Sequence, residues 1–284
     1  MEKYYSFAGV DVIVDIPEEK MYPDERMLAP FAVEAVTNPH RFHFEFVDSL
    51  QPPAGECIVK LPEFLVYAEA DRTVRYIGSV NRSWDGAYIR ATHAGREHHI
   101  QLLSSTFPGQ VGVKTVLTAL AAEHLIACNG GFVFHCSCIE RNGKAILFTA
   151  PSGTGKSTQA DLWHQLRGTP IVNGDRAAIR VTGEGVFACG IPFSGSSVYC
   201  ENRTLPLEAI VYLAQAPVTS IRKLRGYEAF RRVWEGCSIN TWEPEDMRQV
   251  SDAVTRTVSA VPVFYLPCTP DESAVTALEQ ALEK

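Results

Sequence analysis

Two rhythms of apolar residues divide the chain. Up to about residue 108, apolar positions fall in short runs, and Gly, Pro, Asp or Asn separates many of them. Arg41–Val47 alternates cleanly, so Phe42, Phe44 and Phe46 would share one strand face and His43 and Glu45 the other. Val10–Ile16, Cys57–Leu61, Phe64–Tyr67, Val74–Ile77, Ala87–Ala91 and His98–Leu103 read as further short strands. The pattern predicts an antiparallel β-rich domain over residues 1–108. Within it, His98 and His99 are strand neighbours that would point to opposite faces, so they make no converging metal pair.

Beyond residue 108 the period lengthens. Val113, Leu117, Leu120 and His124 lie at helical spacing, which predicts one helix over Val111–Cys128 with Asn129-Gly130 as its stop. The domain boundary is placed just before it, near Phe107-Pro108-Gly109, leaving 109–284 as a second domain. There the expected order is a strand at Gly131–Glu140, a tight Asn142-Gly143 turn, a strand at Ala145–Thr149 and a helix from Lys156 to about Gly168. A hairpin-like stretch at Ala177–Phe193, a strand at Leu207–Leu213, helices at Glu228–Trp234 and Pro244–Ser259 and a strand at Val263–Leu266 follow. The last helix is expected to begin with Thr269 as N-cap, Pro270 in the first turn and Glu272 completing a capping box. The fold class is therefore α/β (α+β): a β-rich domain followed by a mixed-sheet domain.

Composition bears on function more than on fold. With 46% hydrophobic and 21% charged residues the chain is globular rather than disordered. A formal net charge of -7 argues against a broad nucleic-acid-binding face. No apolar run approaches the roughly 20 residues of a membrane span, and the start Met1-Glu-Lys-Tyr-Tyr-Ser lacks the layout of a signal peptide. A cytoplasmic protein is expected. Its eight cysteines form no CxxC pair and read as reduced, mostly buried thiols.

The chemistry concentrates in Ala150-Pro-Ser-Gly-Thr-Gly-Lys-Ser-Thr158, set between an apolar strand and a helix. It matches the P-loop pattern with Ala150 in place of the first glycine. Gly153 and Gly155 would let successive N–H groups from Ser152, Thr154 and their neighbours turn inward around phosphate, at the positive end of the helix. Lys156 is expected to neutralise the β- and γ-phosphate oxygens, Ser157 to ligate Mg²⁺ and Thr158 to bond the α-phosphate. ATP and Mg²⁺ are the expected cofactors.

Asn173-Gly174-Asp175-Arg176 comes after the loop's helix and the apolar step Ile171-Val172. An acid there can lie beside the phosphate site, so Asp175 is a candidate magnesium ligand or proton acceptor from an attacking hydroxyl. Asn-Gly-Asp is also good turn chemistry in its own right. His135 would approach the loop if its strand pairs with Ala145–Thr149; a lone strand histidine is otherwise a core residue. Ser194, Gly195, Ser196 and Ser197 could form the acceptor side of a cleft, and Arg203 could stabilise transferred phosphate charge, unless this stretch is a plain surface loop. Arg231-Arg232 reads as a solvated helix face.

This order of strand with His135, hairpin, loop, helix and Asp175 resembles the catalytic domain of HPr kinase/phosphorylase, which is related in fold to phosphoenolpyruvate carboxykinases. The resemblance spans roughly Gly131–Phe193, about a fifth of the chain. The continuation through Gly190–Gly195 and Leu207–Glu283 is similar to uncharacterised HPr-kinase-related bacterial proteins, some of which accompany peptide-modification gene clusters. The resemblance implies that His135 is the active-site histidine, Lys156 the loop lysine, Ser157 the magnesium ligand and Asp175 the aspartate that deprotonates the acceptor serine. Two positions depart from it. Gly174 stands where the family has the first of two aspartates, and Phe187 falls near its second magnesium-ligating glutamate. The family's segment for its protein substrate is not recognisable. The expected function is transfer of the ATP γ-phosphate to a hydroxyl of a peptide, protein or small molecule. Alternatives are a nucleotide-binding regulator without turnover and a carboxykinase-like enzyme acting on a small organic acid. The resemblance implies a hexamer, while the sequence itself leaves assembly open.

Overall fold

The computed structural model describes residues 1–21, 27–70, 72–78, 82–193, 195 and 197–283. The chain divides into two compact units, Met1–Ser6 with Val10–Ala121, and Phe7–Gly9 with Ala122–Lys284. Both sheets are mixed. No helix among the described residues is long and apolar enough to cross a membrane.

The first unit contains β1 (Glu2–Phe7), β2 (Val10–Asp15), β3 (His40–Val47), β4 (Glu56–Lys60), β5 (Phe64–Glu69), β6 (Arg72–Ile77), β7 (Ile89–Ala94), β8 (Glu97–Leu103) and helix α1 (Val113–Leu120). Its eight strands lie in the order β1-β2-β3-β8-β7-β6-β5-β4. The alternation of β3 is realised, with Phe42 and Phe44 buried and Glu45 exposed. The expected antiparallel sheet needs correction: β2 pairs with β3, and β3 with β8, in parallel. Side chains alternate in either direction, so alternation cannot report strand sense. The 24 residues between Asp15 and His40 are enough for the crossover that a parallel β2–β3 pair needs. His98 and His99 do face opposite ways, one buried and the other exposed. His98 stacks on Phe42 and contacts His40 at 3.1 Å and His93 at 3.2 Å, two histidines contributed by other strands.

The one helix expected over Val111–Cys128 is two. α1 ends at Leu120, and α2 (Ala122–Cys128) starts after Ala121, which has φ 53°. A left-handed residue interrupts the helical hydrogen-bond ladder, yet the apolar spacing continues through it, so the periodicity hides the break. The division between units falls there, one helix later than the sequence boundary near residue 108.

The second unit continues with β9 (Gly131–His135), β10 (Ser137–Arg141), β11 (Lys144–Thr149), α3 (Lys156–Arg167), β12 (Ile171–Asn173), β13 (Arg176–Val181), β14 (Val186–Gly190) and β15 (Thr204–Gln215). After these come β16 (Arg222–Leu224), α4 (Gly226–Trp234), β17 (Cys237–Ser238), α5 (Pro244–Ala260), β18 (Val263–Cys268) and α6 (Glu272–Leu282). The sheet runs β12-β10-β11-β15-β14-β13-β9-β17, with β18 added beside β15 and β16 beside β18. β11, β15 and β18 are parallel. The apolar run of β11 serves two cores at once. Ala145 and Leu147 pack in the cluster that holds Val250 and Val254 of α5, whereas Ile146 and Phe148 pack with Trp163 of α3 and Leu278 of α6. Helices covering both faces explain why this strand is apolar throughout rather than alternating. The hairpin before it closes on Asn142 (φ 51°) and Gly143 (φ 76°), the two positive values a tight primed turn demands.

The strand expected over Gly131–Glu140 breaks at Cys136. β9 pairs with β13 and β17, while β10 pairs with β11 and β12. The neighbouring chain breaks opposite it, at Gly174-Asp175 between β12 and β13, where the Cys136 N–H donates to the Asp175 carbonyl at 3.1 Å. The last helix also starts differently. Asp271 is its N-cap, accepting from the Ser273 N–H at 2.9 Å, while Thr269 is engaged with Thr219 at 3.3 Å. Two good capping residues stand two positions apart, and the hydroxyl of the first already has a partner.

Candidate functional site

β11 ends at Thr149 and α3 starts at Lys156, so residues 150–155 form a loop at the C-terminal end of a parallel strand. Clefts in α/β sheets form at such ends. Gly153 (φ 77°) and Gly155 (φ 117°) hold conformations that L residues rarely adopt. Ala150 keeps a negative φ, so its side chain carries no penalty where the pattern has glycine. Lys156 is 9% exposed and donates from Nζ to the Ala150 carbonyl at 3.1 Å. Burial lowers its pKa, and the Asp175 carboxylate works against that. Ser157 and Thr158 stand exposed on the first turn of α3. Beside the loop opens a cleft of about 630 Å³, lined by Gly153, Gly155, Thr158 and Gln159, with Gln215 and Thr269 opposite. Gln159 is buried, and its Oε1 has no hydrogen-bond partner among the described residues. A carbonyl oxygen in that condition suits a ligand that brings a donor.

The double strand break carries the second group. Asn173 Oδ1 accepts from the N–H of Asp175 at 3.0 Å and of Arg176 at 3.1 Å, and Asn173 Nδ2 donates to the Ile191 carbonyl at 3.0 Å. Buried Asn173 thereby pins the turn that presents Asp175. Across the ladder, His135 pairs in register with Arg176. Its Nε2 stands 3.6 Å from Asp175 Oδ1, and Arg176 Nε stands 3.4 Å from Oδ2. The His135 ring first, then Arg176 and Lys156, hold the Asp175 carboxyl below the usual carboxylate range, although burial opposes them. The two strand breaks therefore join His135, Asp175 and Arg176 in one cluster, on which the Lys156 charge acts.

Arg176 has no motif of its own, and its place directly after Asp175 is the one signal of its role in the sequence. Arg203, expected on the acceptor side, is instead held by Glu140 at 2.5 Å and Glu201 at 3.6 Å, which offset its charge. Ser194 and Ser196 lie outside the described residues. Gly195 (φ 58°) lies against Asp175, since a β-carbon there would come within 2.7 Å of the carboxyl carbon. Phe187 sits on β14 opposite Pro206 and Arg180.

No model of a known protein family matches this sequence, and no curated protein matches it either. Among solved structures, the chain is similar to the Hpr(Ser) kinase/phosphatase from Coxiella burnetii, with 11% identity over 53% of this chain and 92% of that one and a TM-score of 0.32.

Proposed function

We propose that the second unit is a P-loop phosphotransferase that moves the γ-phosphate of ATP to a hydroxyl. The observation that carries this reading is a glycine-rich strand-to-helix loop bearing buried Lys156, in the same unit as a carboxylate, Asp175, that is held between His135 and Arg176. Loop amides and the start of α3 would hold the phosphates, and Lys156 would exchange its Ala150 contact for phosphate oxygen. The acceptor hydroxyl would approach Asp175. A carboxylate kept below its usual pKa stays ionised at neutral pH and can accept the proton as the oxygen attacks. His135 and Arg176 orient that carboxylate from either side. The exposed Ser157 hydroxyl and the Asp175 carboxylate are hard oxygen donors of the kind magnesium takes, and these residues would hold it. Bound there, the ion would offset charge on the phosphate oxygens.

A second reading, a nucleotide-binding regulator without turnover, draws on Phe187, which leaves no acid at that position, and on the close approach of Gly195 to Asp175. Labelled ATP offered with serine peptides and small alcohols separates the two. The kinase reading expects label on an acceptor with wild type, and nucleotide binding without transfer in Asp175→Asn. Equal transfer by wild type and Asp175→Asn would refute the role of Asp175. Binding with no transfer to any acceptor would favour the regulator.

A further inference from the structure

A second cluster of chemically capable side chains lies on the helical layer of the same unit. α2 presents His124 and Cys128 one turn apart, on one face. The first turn of α5 brings Asp246 up to them. His124 Nδ1 stands 2.8 Å from Asp246 Oδ1, and Cys128 Sγ stands 3.9 Å from Nδ1 and 3.7 Å from Nε2. One donor atom from each of the three residues falls within 4.8 Å of the other two, and no other group of three His, Cys, Asp or Glu residues among those described does so.

The geometry points to a binding site for a zinc-class transition-metal ion, held by His124, Cys128 and Asp246, with its remaining position open to solvent. A thiolate, an imidazole and a carboxylate form a donor set of this class, and the thiolate disfavours magnesium and calcium. Tetrahedral zinc places its donors roughly 3.3–3.6 Å apart. The sulfur–nitrogen separations are close to that, and the His124–Asp246 contact has only to open slightly. Asp246 is 1% exposed, and its second oxygen accepts from Asn240 Nδ2 at 3.1 Å. That outer contact fixes the carboxylate as the second shell of a metal site does. Cys128 is exposed and the His124 side chain is 35% exposed, so an ion can enter and keep a water ligand.

Two other uses fit less well. In a Cys-His-Asp proton relay the thiol lines up with Nε2 while the acid holds Nδ1. Here the sulfur is almost equally far from both nitrogens, so it lies off the Nε2 axis. A simple ion pair tying α2 to α5 would account for His124 and Asp246 but would leave Cys128 without a part. Metal binding uses all three: the Cys128 thiol and His124 Nδ1 lose their protons to solvent, and three bonds to the ion replace them. Both helices pack against β9, so the ion would brace the strand that ends in His135.

The test uses the full chain, stripped with a chelator and titrated with Co²⁺ in the absence of nucleotide. Thiolate ligation gives a sulfur-to-cobalt charge-transfer band, which the oxygen donors of the phosphate loop cannot produce. The expected result is a band saturating at one equivalent, displaced by Zn²⁺, lost in Cys128→Ser and retained in Cys57→Ser. His124→Gln, which can still donate to Asp246 and so keep the helices tied, is expected to weaken binding at least tenfold. No band in wild type, or a band that persists in Cys128→Ser, would overturn the inference. Either result leaves nucleotide binding at Lys156 to be judged separately.

Discussion

Ser197 fills the space that a side chain at position 174 would need: a β-carbon on Gly174 would lie 2.0 Å from Ser197 Oγ. What position 174, before Asp175, can hold is therefore coupled to how Ser197 packs. Gly174→Asp alone should destabilise the protein by about 1–3 kcal/mol, because the crowded hydroxyl must move. Adding Ser197→Gly should recover part of the loss. Denaturant unfolding of the two single variants and the double variant measures this coupling, and strict additivity would show that the two positions do not meet.

Asp175 makes a prediction with a definite sign. Its carboxyl is held low by His135 first, then by Arg176 and Lys156. A depressed folded-state pKa contributes stability that is present above the ordinary carboxylate range and lost as pH falls through the folded value. In His135→Ala the Asp175 pKa should rise, so its acid limb moves toward neutral pH. A carboxyl-carbon NMR titration of Asp175 reads this without an acceptor. An unchanged or lower value in the variant would remove His135 from the pair.

The two arginines should separate in function. Each bridges two carboxylates, Arg176 between Asp175 and Glu123 and Arg203 between Glu140 and Glu201, and of the two Arg176 is the one that touches Asp175. Arg176→Ala is expected to slow phosphoryl transfer by about a hundredfold. Arg203→Ala should leave transfer within a few-fold of wild type. Initial rates with labelled ATP decide it, and the reverse ranking would restore Arg203 to the acceptor side.

At the last helix, Asp271→Ala should lower the unfolding midpoint more than Thr269→Ala, because only Asp271 caps a helical N–H. A larger effect at Thr269 would mean that its contact with Thr219 outweighs the cap.

Local chemistry was the legible part of this molecule. The loop at Ala150–Gly155, the Asn142-Gly143 hairpin and the Asp175 turn each depend on residues adjacent in sequence, and each stands where the pattern put it. What depends on partners distant in sequence was hidden. Parallel pairing of β3 looks identical to antiparallel pairing in the alternation of Phe42 and Phe44. The helix break at Ala121 lies inside an unbroken apolar period. Within the candidate site, Lys156 and Asp175 could be named from motif and spacing. The neutralisation of Arg203 could not, because Glu140 precedes it by some sixty residues and only the sheet brings them together.

Everything proposed for the second unit requires that the loop around Lys156 bind a magnesium nucleotide. A thermal-shift titration with ATP, ADP, GTP and pyrophosphate, each with and without Mg²⁺, tests it most directly on wild type and Lys156→Ala. A ligand that binds only the folded state raises apparent stability, by about 2.7 kcal/mol at a hundred times its Kd. The expected result is a Mg²⁺-dependent shift with ATP that saturates in wild type and is lost in Lys156→Ala. No shift with any of these ligands, or an equal shift in the variant, would contradict it.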